Sequence, residues 1–177
     1  MADPEDPSSL RVVHEGEGAL YPVDFSADGK KLVVQQYISI TKSRIFTLDV
    51  ETGDWAEFNP DDDVANSGAA LLSDGDILTV NDKNSEFRNL VRYDGETGAA
   101  TIYTSDINWD VSSWDLSPNE DKVVFTVNEG GLGTIRLLDL ETGAVSGGPD
   151  LPGGIAGGVT FSPDGSQVGF TFNGATT

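Results

Sequence analysis

Short apolar runs separated by polar turns make up almost the whole chain, and none keeps helical spacing over helical length. Residues 21–58 show the order: "YPVDF", a Ser-Ala-Asp-Gly turn, "KLVVQQYI", then "SRIFTLDV", a Glu-Thr-Gly turn and "DWAEF". The second and third runs are rich in β-branched and aromatic residues, which suit a pleated, half-buried surface. The pattern therefore predicts strands joined by tight turns and almost no helix.

The order repeats. Glu51, Glu96 and Glu141 each open a Glu-Thr-Gly, 45 residues apart. A second marker lies between these copies, in "DFSADGKKLVV", "ALLSDGDILTV", "DLSPNEDKVVF" and "TFSPDGSQVGF". Its anchors Phe25, Leu71, Leu116 and Phe161 follow at intervals of 46, 45 and 45. Two markers on one period predict an all-β fold, a β-propeller built of four-stranded antiparallel blades. A solenoid coil is much shorter, and a β-sandwich needs no repeat. Blades are expected at 19–64, 65–109 and 110–154, with the first two strands of a further blade at 155–174. Small residues Gly68, Ala69, Gly157 and Gly158 suit first strands, where blades crowd.

Phe58 and Tyr103 lie 13 residues before anchors Leu71 and Leu116, and the same step back from Phe25 reaches Val12. Residues 10–14 are thus expected as an outer strand, and the acidic, Pro-rich residues 1–9 as a disordered tail. Three blades and partial terminal strands do not close a ring. A partial propeller is expected, whose partners are the missing remainder of the propeller or, through its open blade edges, other copies of itself. A compact four-bladed form is a third option.

Charge adds a second theme. The 177 residues carry 30 acidic and 10 basic side chains, a formal net charge of −20, and 20 of the acids are Asp. Such a surface repels nucleic acid and anionic membrane, which recruit basic patches. The acids are spread along the chain, as expected for adaptation to high salt, where screening removes self-repulsion. Cysteine is absent, which rules out thiolate chemistry and accords with a cytoplasmic setting. The start lacks the basic and apolar regions of a signal peptide.

Candidate chemistry is sparse. No Gly-x-Ser-x-Gly elbow is present, and the single histidine, His14, has no nucleophile to serve. It is expected at the surface, at a strand end. The Gly-rich stretch 147–158 reads as a connection between blades. The oxygen-rich stretch 60–68 lacks the spacing of a calcium loop. No catalytic, cofactor-binding or metal-binding residue is therefore assigned, and no cofactor is expected. Asp24 and Asp115 occupy matching places one residue before their anchors, where they could reach a ligand or bond neighbouring backbone.

The residues that do recur have a mechanical reading. Asp49, Asp94 and Asp139 precede the Glu-Thr-Gly turns, where a carboxylate can accept backbone N–H bonds. Thr52, Thr97 and Thr142 favour the turn, and Gly53, Gly98 and Gly143 can supply positive φ.

The Phe-Ser-Pro-Asp-Gly turn and the Leu-Asp-Leu-Glu-Thr-Gly that follows resemble the TolB-type, WD40-like propeller repeat over residues 10–174. The turn varies between units, and Trp109-Asp110 and Trp114-Asp115 fall near a first strand, not at the end of a third as in true WD repeats. Those pairs read as coincidence. Similar repeats form TolB and the N-terminal propeller of prolyl-oligopeptidase-type serine peptidases, the acylaminoacyl-peptidase-like members in particular. That resemblance implies a non-catalytic propeller segment that gates substrate for an α/β-hydrolase domain outside this chain. A TolB-like interaction scaffold is the alternative. A lactonase-like enzyme would need acidic and amide metal ligands converging on the axis.

Overall fold

The structure, a computed structural model, describes residues 1–58 and 63–174. Their contacts divide the chain into two units, residues 1–79 with 94–98 and residues 80–93 with 99–177. Among the described residues the sheets are antiparallel, three of four strands and one of two, and no α-helix is present.

In the first unit, β1 (Ala19–Phe25), β2 (Lys31–Ser39), β3 (Lys42–Asp49) and β4 (Trp55–Phe58) form a sheet in chain order. The ladder sets Phe25 opposite Leu32, Leu32 opposite Leu48 and Leu48 opposite Trp55. Consecutive residues Leu32, Val33 and Val34 are all buried, because both faces of the sheet are covered. On one face Val33 and Ile45 pack with Ala69, Leu71 and Ile77, which come from β5 (Ala69–Leu71) and the start of β6 (Ile77–Asn81). On the other face Leu32, Val34 and Leu48 pack with Val13, Leu20, Val50 and Trp55. A strand sandwiched in this way reads as a continuous apolar run, not an alternating one.

Residues 10–14, expected as an outer strand, form no ladder. They are held by side chains instead. Val13 joins the second cluster, the His14 ring stacks on Trp55 at 4.0 Å, and the Arg11 guanidinium donates to the Val50 carbonyl at 2.5 Å. A strand needs neighbouring backbone to bond, and here the segment crosses a blade's face, meeting it through side chains. Residues 1–9, expected as a disordered tail, fold back as an exposed loop. Its 3₁₀ turn Pro7–Ser9 is capped by Asp6, and the Met1 amino group donates to the Arg11 carbonyl at 2.7 Å.

The second unit holds the end of β6, β7 (Asn89–Tyr93), β8 (Ala100–Ile102), β9 (Val111–Leu116), β10 (Lys122–Glu129), β11 (Leu132–Asp139), β12 (Val145–Gly147), β13 (Gly154–Phe161) and β14 (Val168–Gly174). Strands β5 to β8 follow one another in one sheet, β9 to β12 in the next, and β13 pairs with β14 alone. Val124 and Ile135 of the β9–β12 sheet pack with Ala156, Val159, Phe161, Val168 and Phe172 of the β13–β14 pair. This cluster matches the one around Val33 and Ile45, with Phe161 standing where Leu71 stands.

Two backbone features allow these sheets to approach. A Cβ at Gly133 would lie 2.3 Å from the Ala156 nitrogen, so β11 and β13 come too close for any side chain there. The first strands β1, β9 and β13 each carry a register shift upstream of the anchor. A bulge of this kind bends the strand and re-aims the residues that follow.

Candidate functional site

The recurring carboxylates sit inside the turns. Asp49 Oδ1 accepts the N–H of Glu51 at 2.9 Å and of Thr52 at 2.8 Å. Asp94 Oδ1 accepts from Glu96 N–H, Thr97 N–H and the Thr97 hydroxyl at 3.0, 2.7 and 2.8 Å. Asp139 Oδ1 accepts the Thr142 N–H and hydroxyl, both at 2.8 Å. In each turn the glycine N–H closes the loop onto the carbonyl of the same Asp, at 2.9, 2.9 and 2.8 Å for Gly53, Gly98 and Gly143. The three glycines have φ of 78°, 71° and 71°, in the left-handed region that disfavours a Cβ.

The Ser-x-Asp-Gly turns use a second carboxylate device. Asp164 accepts from the Ser162 hydroxyl, Ser166 N–H and the Ser166 hydroxyl, and Asp28 accepts from the Ser26 hydroxyl and Lys30 N–H. The Ser162 hydroxyl holds Asp164 well below the ordinary carboxylate range, at about 2, with the Ser166 bonds adding to it. The Thr52 N–H lowers Asp49, and the Thr142 N–H lowers Asp139. A carboxyl group lowered on folding stabilises above its unfolded pKa, and that stabilisation is lost as pH falls through the folded value. These turns therefore weaken from about pH 4 downward. In the third repeat the left-handed place of the turn falls to Glu120, φ 56°, and the Ser117 hydroxyl reaches two residues further than in those turns, to Asp121 at 2.7 Å.

Asp24 and Asp115 bond backbone of the repeat that follows. Asp115 Oδ2 accepts the Phe161 N–H at 2.7 Å and the Thr160 hydroxyl at 2.9 Å. Asp24 Oδ2 accepts the Leu71 N–H at 3.3 Å. In both cases the carboxylate before one anchor receives the N–H of the next anchor, a full repeat onward. Each link lies within one unit.

The second Trp-Asp pair thus has a structural task in its Asp, and so does the first. Asp110 accepts the Arg88 N–H at 2.8 Å through Oδ1 and the Arg88 guanidinium at 3.3 Å through Oδ2. Neither pair occupies the place that a WD repeat requires, and the tasks of their carboxylates are independent of that motif. The matching places of Asp24 and Asp115 before their anchors pointed to the backbone bond of the second pair, whereas no repeated position pointed to that of Asp110. Among the described residues no group of three His, Asp or Glu is arranged to hold a metal ion. Of the oxygen-rich stretch 60–68, residues 60–62 lie outside the described residues, and Asp63 pairs with Lys42 at 2.7 Å.

Four-stranded antiparallel sheets repeated every 45 residues or so, two of them seen to receive the anchor of the next repeat, are propeller blades. The chain is a partial β-propeller, and comparison with solved structures gives the same fold. TolB from Acinetobacter baumannii aligns with a TM-score of 0.74 and 18% identity, over 93% of this chain and 40% of that one. A prolyl endopeptidase aligns at 0.76 and 16% over 94% and 25%, and puromycin hydrolase at 0.76 and 19% over 96% and 27%. This chain therefore spans a quarter to two-fifths of the length of those proteins. No protein-family model and no curated protein matches it. No helix among the described residues is long and apolar enough to cross a membrane.

Two substitutions test the site. Gly143→Val places a β-branched residue at φ 71°, with Tyr103 3.8 Å from its Cβ, and should cost about 1–3 kcal/mol of stability. An unchanged thermal midpoint would count against the turn's role. Asp115→Ala leaves the Phe161 N–H without its acceptor and should cost about 1–3 kcal/mol. Amide exchange should then quicken at Phe161 ahead of the β10–β11 ladder. Uniform loss across the sheet would contradict a local link.

Proposed function

We propose that this chain is the N-terminal part of a substrate-gating propeller in a prolyl-oligopeptidase-type serine peptidase, and that it is itself non-catalytic. The supporting observation is the pattern of coverage. Nearly the whole chain superposes on a quarter of a prolyl endopeptidase and of puromycin hydrolase. On this reading the remaining blades and an α/β-hydrolase domain are its partners, and the parent protein works in the cytoplasm. The likeness to TolB supports a second reading, an interaction scaffold without an enzyme.

Either reading leaves surface to be covered. The first anchor, Phe25, is 46% exposed, whereas its counterpart Leu71 is 8% exposed beneath β2 and β3. Further blades are the natural cover, and association of copies through open blade edges is the other.

The purified chain should show no turnover of blocked fluorogenic peptides; hydrolysis that survives repurification would overturn the non-catalytic reading. The coding sequence beyond Thr177 separates the two readings. Further 45-residue repeats followed by Gly-x-Ser-x-Gly support the peptidase, and six blades followed by a stop support the scaffold.

The spread of acidic residues supports a halophilic source. At a net charge of −20, self-repulsion is screened over about 8 Å at 0.15 M salt and about 3 Å at 1 M. The thermal midpoint should therefore climb steadily as KCl rises from about 0.1 M to 2 M. A flat or falling midpoint would remove the argument for halophily.

A further inference from the structure

The first Trp-Asp pair belongs to a cleft that blade construction does not require. Trp109 lies seven residues before its anchor, where the other repeats hold Gly18, Val64 and Gly154. Val64 is buried at 6% exposure, whereas the Trp109 indole is 44% exposed. Where one repeat buries a valine, this one carries an aromatic ring that the core does not take in.

Around that ring, Phe87, Arg88, Asp110, Ser112 and Asn128 line an open cleft of about 400 Å³. All six residues belong to the second unit. They come from the ends of strands: Phe87 and Arg88 precede β7, Trp109 and Asp110 precede β9, Ser112 is the second residue of β9 and Asn128 the last but one of β10. The polar groups are positioned in advance. Asp110 bonds both the Arg88 backbone N–H and one guanidinium nitrogen, which draws the fork to this side of the cleft while the side chain stays 42% exposed. Asn128 Oδ1 accepts the Gly131 N–H at 2.8 Å, which fixes its amide and leaves the NH₂ group as the donor.

The electrostatics narrow the guest. The charge of Arg88 is already matched by Asp110, on a chain of net charge −20. An anionic guest would gain little from Arg88 and would meet the Asp110 carboxylate. What remains is a neutral mixture of donors (Arg88, Asn128, Ser112) and acceptors (Asp110, Ser112) beside one exposed aromatic face. Vicinal hydroxyls donate and accept at once and fit such a mixture. The apolar C–H face of a pyranose ring fits the indole. A peptide strand would instead require an open sheet edge to pair with, and this cleft is built from strand ends and connections. Its volume is at the lower end of the roughly 300–1,000 Å³ of small-ligand sites.

We propose that this cleft binds a neutral saccharide, with one pyranose face on Trp109 and its hydroxyls shared among Arg88, Asp110 and Asn128. The cleft does not depend on whether a hydrolase domain accompanies the propeller. The test is an NMR titration of the full chain with neutral mono- and disaccharides, the matching uronates and a blocked tetrapeptide, following the backbone N–H of Ser112, which lines the cleft and is present in every variant. At least one neutral saccharide should give a saturable shift. Trp109→Ala and Asn128→Ala should each weaken it tenfold or more, Trp109→Phe should largely retain it, and the uronate should bind more weakly. Trp109 is exposed, so far-UV circular dichroism should be unchanged in its variants. No shift from any saccharide would overturn the proposal. So would a shift from the tetrapeptide alone, tighter binding of the uronate, or saccharide binding that survives Trp109→Ala.

Discussion

Everything in this fold depends on one sheet receiving the first strand of the next. A single four-stranded sheet of this composition cannot bury both faces alone, and the buried run Leu32-Val33-Val34 requires that it does. Leu71 against Val33 and Ile45, and Phe161 against Val124 and Ile135, are the same contact made twice. Each buried aliphatic or aromatic side chain contributes on the order of 1.5–3 kcal/mol through the hydrophobic effect. A carboxylate adds direction to that non-directional term: Asp24 meets the Leu71 N–H, and Asp115 meets the Phe161 N–H. Apolar burial brings the strand in, and the hydrogen bond sets where it stops.

The turns complete the repeat without touching this core. Asp49, Asp94 and Asp139 spend their carboxylate oxygens on backbone N–H groups two or three residues ahead. They are therefore poor candidates for ligand binding, however often they recur. Carboxylates bonded in this way also carry part of the acidic composition at no functional cost, because they stabilise hairpins while adding to a repelling surface. The connections leading into the first strands are less constrained. They differ between the repeats of this chain, and it is there that Trp109 stands where other repeats hold a buried valine or a glycine.

Much of this was legible in the residue order. Glu-Thr-Gly and the Phe or Leu anchors gave period, strand number and turn positions, since a tight turn needs the same chemistry wherever it recurs. The reading went astray in two kinds of place. Residues 10–14 match a fourth strand in spacing, but spacing does not supply a ladder partner, and Val13 and His14 settle against side chains instead. The matching places of Asp24 and Asp115 were legible, but the bond from Arg88 to Asp110 was not, because no repeated position marks it.

By itself the sequence determined an all-β chain of 45-residue units, its hairpin turns and its acidic surface. Each of these follows from local chemistry repeated along the chain. Only the tertiary structure decided which backbone N–H each inter-repeat carboxylate reaches, and that Asp110 orients Arg88 beside an exposed indole. Those pairings join residues 46 or 22 positions apart through the stacking and bending of strands. No local pattern along the chain encodes that stacking.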